Sequence, residues 1–219
     1  MRFNSKTERF IYYINYLLTT INKMNILSKS QKIMNILLKD FSRHTATSLA
    51  KELKMSRWGI WKILKKLEKD NLIIIEPVGS GKTSTSIIKL NWDNILTEKT
   101  LALSLTQEAL KYKRWLYDFS SLQQETEFLI LYGSILYGKE ANDIDIIGIA
   151  KEKKLGKVND SVFKIQEIQS KKIHSINLTQ KEFEKELKKP NRASLDAVKK
   201  GIVLLGQENF IKFVRGLSE

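Results

Sequence analysis

The stretch LYGSILYGKEANDIDIIGIA, residues 131–150, carries the most specific chemistry in the chain. The apolar run Phe128 to Tyr132 reads as a strand that delivers Gly133 and Ser134 to a turn opening a short helix. Free amides and a helix dipole at such a turn suit a triphosphate, so Gly133, Ser134 and the nearby Gly138 are the candidate nucleotide-binding residues. Asp143 and Asp145 stand two apart in the next strand, which sends both carboxylates to one side and Ile144 and Ile146 to the other. Paired carboxylates beside a phosphate cradle are what Mg²⁺, a hard cation that takes oxygen ligands, requires. A turn followed by a surface-facing acidic strand would not explain charges set into an otherwise apolar run.

A second constellation lies in residues 56–69. On a wheel of 3.6 residues per turn, Ile60, Ile63, Leu64 and Leu67 share one arc, and Trp58, Lys62, Lys65, Lys66 and Lys69 share the opposite one. Four lysines and a tryptophan on one face fit phosphate contact and packing against sugars or bases in the major groove of duplex DNA. Ser56 caps the helix, and Arg57 beside it is the candidate for reading a guanine edge. Lys82, in a polar loop downstream, is placed to touch backbone or minor groove. An isolated lysine face is usually only a solvated one; the neighbouring elements and the local charge favour DNA here. The triplet Gly81-Lys82-Thr83 resembles the tail of a P-loop, but Glu76 stands where that motif needs glycine and Ile87 to Leu90 reads as strand rather than helix.

These residues need elements to hold them. A capping box at Ser5-Lys6-Thr7-Glu8 and apolar residues from Phe10 to Ile21 predict a helix within residues 1–27. Tyr12, Tyr13 and Tyr16 lie off its main stripe, so the helix buries against two surfaces: its own domain and a second one, or a second subunit as in a homodimer. Residues 28–92 read as three helices followed by a hairpin of Leu72 to Glu76 and Ile87 to Leu90. A linker at 93–105 leads to a helix from Thr106 to about Gln123, and residues 106–219 then alternate strand and helix.

The chain of 219 residues suits two compact units. Its net charge of +14 is lopsided: 17 Lys+Arg against 6 Asp+Glu up to Trp92, then 21 against 18. Clustered positive charge in one half favours a polyanion partner for that half. With no cysteine and two histidines, His44 and His174, disulfides and thiolate metal sites are excluded. The apolar stretch from Phe10 to Leu18 is too short to span a bilayer and no cleavage site follows it, which predicts a cytoplasmic protein without a membrane partner.

The stretch TATSLAKELKMSRWGIWKILKKLEKDNLI resembles the winged helix-turn-helix family of DNA-binding regulators, with helix, tight turn, recognition helix and wing in order. The resemblance implies transcription regulation. Gly133, Ser134, Gly138, Asp143 and Asp145 resemble the GSxxxG and DxD pattern of the nucleotidyltransferase superfamily typified by DNA polymerase beta, with Asn142 where serine is usual. The segments KKIHSINLTQKEFEKEL and IVLLGQENF extend that resemblance over about residues 106–215. Together they imply an α+β protein: a winged helix-turn-helix domain, then a small nucleotidyltransferase-fold domain with a mixed sheet and flanking helices.

In the superfamily a third carboxylate completes a two-metal site, and the resemblance of KKIHSINL puts His174 there. Neutral imidazole is a poor Mg²⁺ ligand, so catalysis is expected to be weak or lost while nucleoside triphosphate binding survives. Asp160 or Glu167 could substitute, but both fall in a predicted helix; His174 reads equally as general base or packed residue. The alternatives are an active Mg²⁺-dependent transferase modifying a protein or RNA, with Asp143, Asp145 and His174 catalytic, and a silent scaffold that binds a protein partner.

Overall fold

The computed structural model describes residues 27–79, 85–138, 141–189 and 193–218. The aromatic helix expected within residues 7–23, and Lys82 between the two wing strands, lie outside the described residues.

Three helices open the described chain: α1 (Lys29–Lys39), α2 (Ala46–Glu52) and α3 (Arg57–Lys69). Each begins at a hydroxyl cap, Ser28, Thr45 and Ser56, whose oxygen accepts a backbone N–H from the first turn. The turn between α2 and α3 depends on Lys54, which adopts a left-handed φ of 51° while the Met55 amide donates back to the Ala50 carbonyl at 2.9 Å. Asn71 does the same at the end of α3 with φ 58°, and the Leu72 amide returns to Leu67. Strands β1 (Ile73–Val78) and β2 (Thr85–Leu90) then pair antiparallel, Ile73 opposite Leu90 and Val78 opposite Thr85. The backbone of His44 adds a bridge to Ile88.

The expected linker at 93–105 is mostly helix. Asn94 caps α4 (Ile95–Ala109), which buries Thr97, Leu101, Ser104, Leu105 and Ala109. Two of those buried positions are small and polar while leucines also lie on the outer face, so the helical period is blurred in the sequence. The single helix expected from Thr106 is instead the end of α4, a 3-10 turn, α5 (Lys113–Asp118) and a second 3-10 turn at Ser120–Gln124.

The second half is a four-stranded mixed sheet of β3 (Phe128–Tyr132), β4 (Asp143–Ile149), β5 (Lys172–Leu178) and β6 (Ile202–Leu205), in the order β5-β4-β3-β6. β3 runs antiparallel to both neighbours and β4 runs parallel to β5. Helices α6 (Leu155–Ile168), α7 (Gln180–Lys188), α8 (Ala193–Lys200) and α9 (Gln207–Ser218) complete the chain.

The alternation along β4 divides the packing. Ile144 and Ile146 face a cluster with Trp115, Phe119, Leu122, Val158 and Ile165, supplied by α5, the 3-10 turn and α6. Ile147 and Ile149 face the opposite cluster, in which Phe128 packs against Phe183, Phe210 and Phe213 with ring centroids 5.4 to 6.1 Å apart. That second cluster runs without interruption into Ile33, Leu38, Leu64 and Leu101, so the N-terminal helices and the sheet share one core. Polar contacts reinforce the join. Buried Lys39 donates to Glu108 at 2.5 Å and to the Gly201 carbonyl at 2.9 Å, and Lys199 reaches Asp40 at 2.5 Å. Among the described residues, no helix is long and apolar enough to cross a membrane.

Candidate functional site

Two surfaces collect the residues singled out by their chemistry. On the first, α3 buries Ile60, Leu64 and Leu67 and turns Arg57, Trp58, Lys62, Lys65, Lys66 and Lys69 outward. Trp58 is 71% exposed. The lysines are not equivalent. Lys65 pairs with Glu68 at 2.7 Å and lies over the Trp61 ring at 5.2 Å, whereas no ion pair within the described residues engages Lys62, Lys66 or Lys69.

Beside this face, Thr45, Ala46, Thr47, Arg57, Trp58, Trp61, Thr85 and Ser86 line a cleft of about 400 Å³ between the start of α2, α3 and the wing strand β2. Ser56 keeps its hydroxyl on the Gly59 amide at 3.1 Å, which fixes the start of α3 and presents Arg57 at the cleft mouth. Trp61 and the hydroxyls of Thr47, Thr85 and Ser86 are additions to the residues expected at this surface. Trp61 stands three residues after Trp58 and four before Lys65, a spacing that puts it beside both. The hydroxyls give no signal in the sequence, because the fold of the wing back onto α2 brings them together.

The second surface is a row across the sheet. Tyr132 on β3 is registered with Asp145 on β4, and Asp145 with His174 on β5. Asp145 Oδ1 lies 3.4 Å from His174 Nδ1. On its other side stands Gly133, whose φ is +82°; a Cβ there would come within 2.1 Å of Asp145 Oδ2. Glycine is therefore needed twice, for the backbone conformation and to make room for the carboxylate. Tyr132 stays a neutral phenol to higher pH than usual because it is half-buried and next to Asp145.

Asp143 lies on the same face as Asp145, at the end of β4 opposite Lys172. Ser134 is exposed and starts only a three-residue 3-10 turn, closed by the Tyr137 amide on the Ser134 carbonyl. The helix expected there is thus a single turn, too short to carry a macrodipole; any phosphate contact would come from local amides. Gly138 has open space where a Cβ would stand. Asp160 and Glu167 are on α6, which packs through Val158 and Ile165 on the isoleucine face of β4. They stand on the opposite side of the sheet from Asp145 and do not complete a carboxylate cluster with it. The side chains here that could offer donors to a cation are two carboxylates and one imidazole, and among the described residues these three are not a group whose ligand atoms all lie within 4.8 Å of one another.

A third group, Asp40, His44 and Glu52, brings one ligand atom from each residue within 4.8 Å of the others. Its central carboxylate already carries the Lys199 ammonium. Burial pushes the Asp40 carboxyl up, but hydrogen bonds from Lys199 and Ser42 outweigh it and hold the group below the ordinary carboxylate range.

Comparison with known proteins gives three findings. No curated protein matches the chain. Among solved structures it is similar to the adhesin competence repressor (AdcR) of Streptococcus pyogenes, at 16% identity over 75% of this chain and 97% of that one, with a TM-score of 0.33. It is similar at the same identity to a mutant of ZitR from Lactococcus lactis in apo form, over 75% and 98% of the two chains, with a TM-score of 0.32. Likenesses this loose do not amount to a shared whole-chain fold. Residues 29–81, from the start of α1 through the first wing strand, match the family described as "HTH domain".

Proposed function

We propose that this protein is a transcriptional regulator that binds duplex DNA through a winged helix-turn-helix, with α3 in the major groove and the β1–β2 wing alongside. The observation that carries this reading is the outer face of α3, where Lys62, Lys66 and Lys69 stand without ion-pair partners among the described residues, next to Arg57 and the exposed Trp58. No feature of the helix requires those charges, and a phosphate backbone uses them. Arg57, at the start of the helix, reads a base edge, and Trp58 packs against sugar or base. The test is fluorescence anisotropy on labelled duplex from 50 to 200 mM salt. Replacing Lys62, Lys66 and Lys69 with Ala lowers the slope of log K against log salt by about 0.9 for each phosphate that a lysine no longer neutralises. No salt-sensitive affinity for duplex would overturn the reading.

For the second half, a specific geometry favours a nucleotide-binding role. Gly133, just past the end of β3, lies against Asp145 on β4, which in turn lies beside His174 on β5, with Asp143 on the same face. We read this as a nucleotidyltransferase-like site that binds a nucleoside triphosphate with Mg²⁺. Asp143 and Asp145 hold the cation, whose charge neutralises the phosphates, and the Gly133-Ser134 turn orients them. His174 in place of a third carboxylate leaves transfer weak. Asp143→Asn with Asp145→Asn abolishes Mg²⁺-dependent nucleotide binding, while His174→Asp preserves binding and raises transfer to an acceptor. Turnover of about 1 per second or more in the unaltered protein would replace this with the active-transferase reading. No nucleotide binding at all would leave a scaffold for a protein partner.

A further inference from the structure

A cavity of about 290 Å³ opens where the two halves meet, between α1, the end of α2, the 3-10 turn Leu110–Tyr112 and the end of α8. That is close to the lower end of the range for small-molecule sites, about 300 Å³. No residue of the α3 face or of the Asp145 row lines it. Its charges are unequal, with five lysines against three carboxylates. Glu108 already holds Lys39 and Asp40 already holds Lys199. Lys32 and Lys111 are exposed and have no ion pair among the described residues, and Lys200 pairs with Asp196, one turn back on its own helix, at 3.2 Å with both side chains more than half exposed. Against these three ammonium groups the wall sets one carboxylate without a salt bridge among the described residues, Glu52.

Asn35, on α1, adds an independent sign. It lines the cavity, is buried, and has no hydrogen-bond partner for either its amide nitrogen or its amide oxygen among the described residues. Solvent does not reach the two atoms either, so the amide is left unmet, a costly state for a buried polar group. A turn of the side chain toward the cavity brings the amide to whatever binds there.

We propose that this cavity binds a small phosphorylated metabolite, with Lys32, Lys111 and Lys200 on the phosphate and Asn35 as a neutral contact. A phosphate monoester carries a charge of about −1.5 to −2 and three strong acceptor oxygens, which matches three lysines converging from three elements. A carboxylate, with one charge and two oxygens, would leave part of that positive field unmet. Lys32 and Asn35 come from α1 and the other two lysines from the second half of the chain, so the bound anion tightens the contact between the halves. The site needs neither DNA nor a nucleotide at Asp145 and stands apart from the function proposed above.

The test titrates the full chain with inorganic phosphate at about 0.15 M salt and without Mg²⁺, on which the nucleotide reading depends. The thermal unfolding midpoint is expected to rise progressively with phosphate, because the anion binds the folded chain alone. Acetate at matched ionic strength is expected to leave it in place. By calorimetry, Lys32→Ala, Lys111→Ala and Lys200→Ala, all exposed substitutions, each weaken phosphate binding about tenfold, and Lys153→Ala, an exposed lysine outside the cavity wall, leaves it unchanged. Asn35→Leu raises the midpoint of the phosphate-free protein and lowers phosphate affinity, two opposite signs that a residue serving the fold alone would not give. Full phosphate affinity in Asn35→Leu would overturn the part assigned to the amide. No response to phosphate, an equal response to acetate, or binding that survives the three lysine substitutions together would overturn the site itself.

Discussion

The lysines of α3 and the aspartates of β4 are both charges set against apolar neighbours, and they differ in what holds them. Among the described residues, Lys65 is the α3 lysine with an ion pair, to Glu68, and it lies over the Trp61 ring; Lys62, Lys66 and Lys69 are exposed. Asp145 is enclosed by Gly133 on one side and His174 on the other, with Tyr132 in the next strand. Charges that the fold does not use can be removed at little cost in stability, so weaker DNA binding by such variants reports on the interface itself. A carboxylate that the fold does use cannot be removed so cleanly, and every substitution around Asp145 has to be read for stability as well as for ligand.

The shared core makes both surfaces parts of one cooperative body, and the largest expected effect tests that. Phe128 is fully buried and its ring touches Phe183, Phe210 and Phe213, in the cluster that continues into the N-terminal helices. Phe128→Ala costs about 3–5 kcal/mol. In urea unfolding, variants retaining Trp61 or Trp115 as sole reporter should show the same shifted midpoint. A Trp61 transition that stays in place while that of Trp115 moves would mean the two halves unfold separately.

Next in size is Gly133→Ala. The left-handed φ and the 2.1 Å approach to Asp145 Oδ2 together cost about 1–3 kcal/mol. Lys62→Ala, by contrast, should stay within about 0.5 kcal/mol of the unaltered protein. The sharper measurement is a double-mutant cycle: if Asp145 is what the new methyl meets, Asp145→Ala recovers part of the stability that Gly133→Ala removes. Additive effects would show that backbone conformation alone makes the glycine necessary.

Features are legible in the sequence where their signal is local. The cap at Ser56, the apolar arc of α3 and the alternation Asp143-Ile144-Asp145-Ile146 are short-range patterns, and each predicts its element to within a few residues. Helix α4 is hidden because its two apolar faces cancel the periodicity that marks an amphipathic helix. Trp61 is hidden because a wheel sorts residues into core and opposite arcs, and it lies between them. The adjacency of Asp145 and His174 is approached only through resemblance, since a parallel strand pair with an intervening helix leaves no local mark of its register. The join between the halves, Lys39 with Glu108 and Asp40 with Lys199, is a product of tertiary packing and has no counterpart in the sequence pattern.

That join supplies the smallest effect and a third case beside the lysines and the aspartates: a charge held by the other half of the molecule. Burial raises the Asp40 carboxyl, yet the hydrogen bonds from Lys199 and Ser42 win, so its folded value lies below the unfolded one of about 3.9. A depressed carboxylate contributes stability that is fully present above the unfolded value and is lost as pH falls through the folded value. Lys199 is shifted the other way by its hydrogen bond to Asp40, so its contribution is present below the unfolded lysine value of about 10.4 and fades as pH rises through the folded one. The pair therefore acts across the neutral range. With the carboxylate mostly buried and the ammonium partly exposed, Asp40→Asn should cost about 1 kcal/mol at pH 7. Urea unfolding at pH 7 and below pH 3 checks it, taken as the difference between the unaltered protein and Asp40→Asn so that acid-sensitive groups remote from Asp40 cancel; His44, 3.7 Å from the same carboxylate, belongs to the measured difference. The difference should close at the acid end, where Asp40 is protonated in both states. A gap that persists below pH 3 would show that Asp40 acts through something other than its charge, and that the halves are joined by their common apolar core rather than by this ion pair.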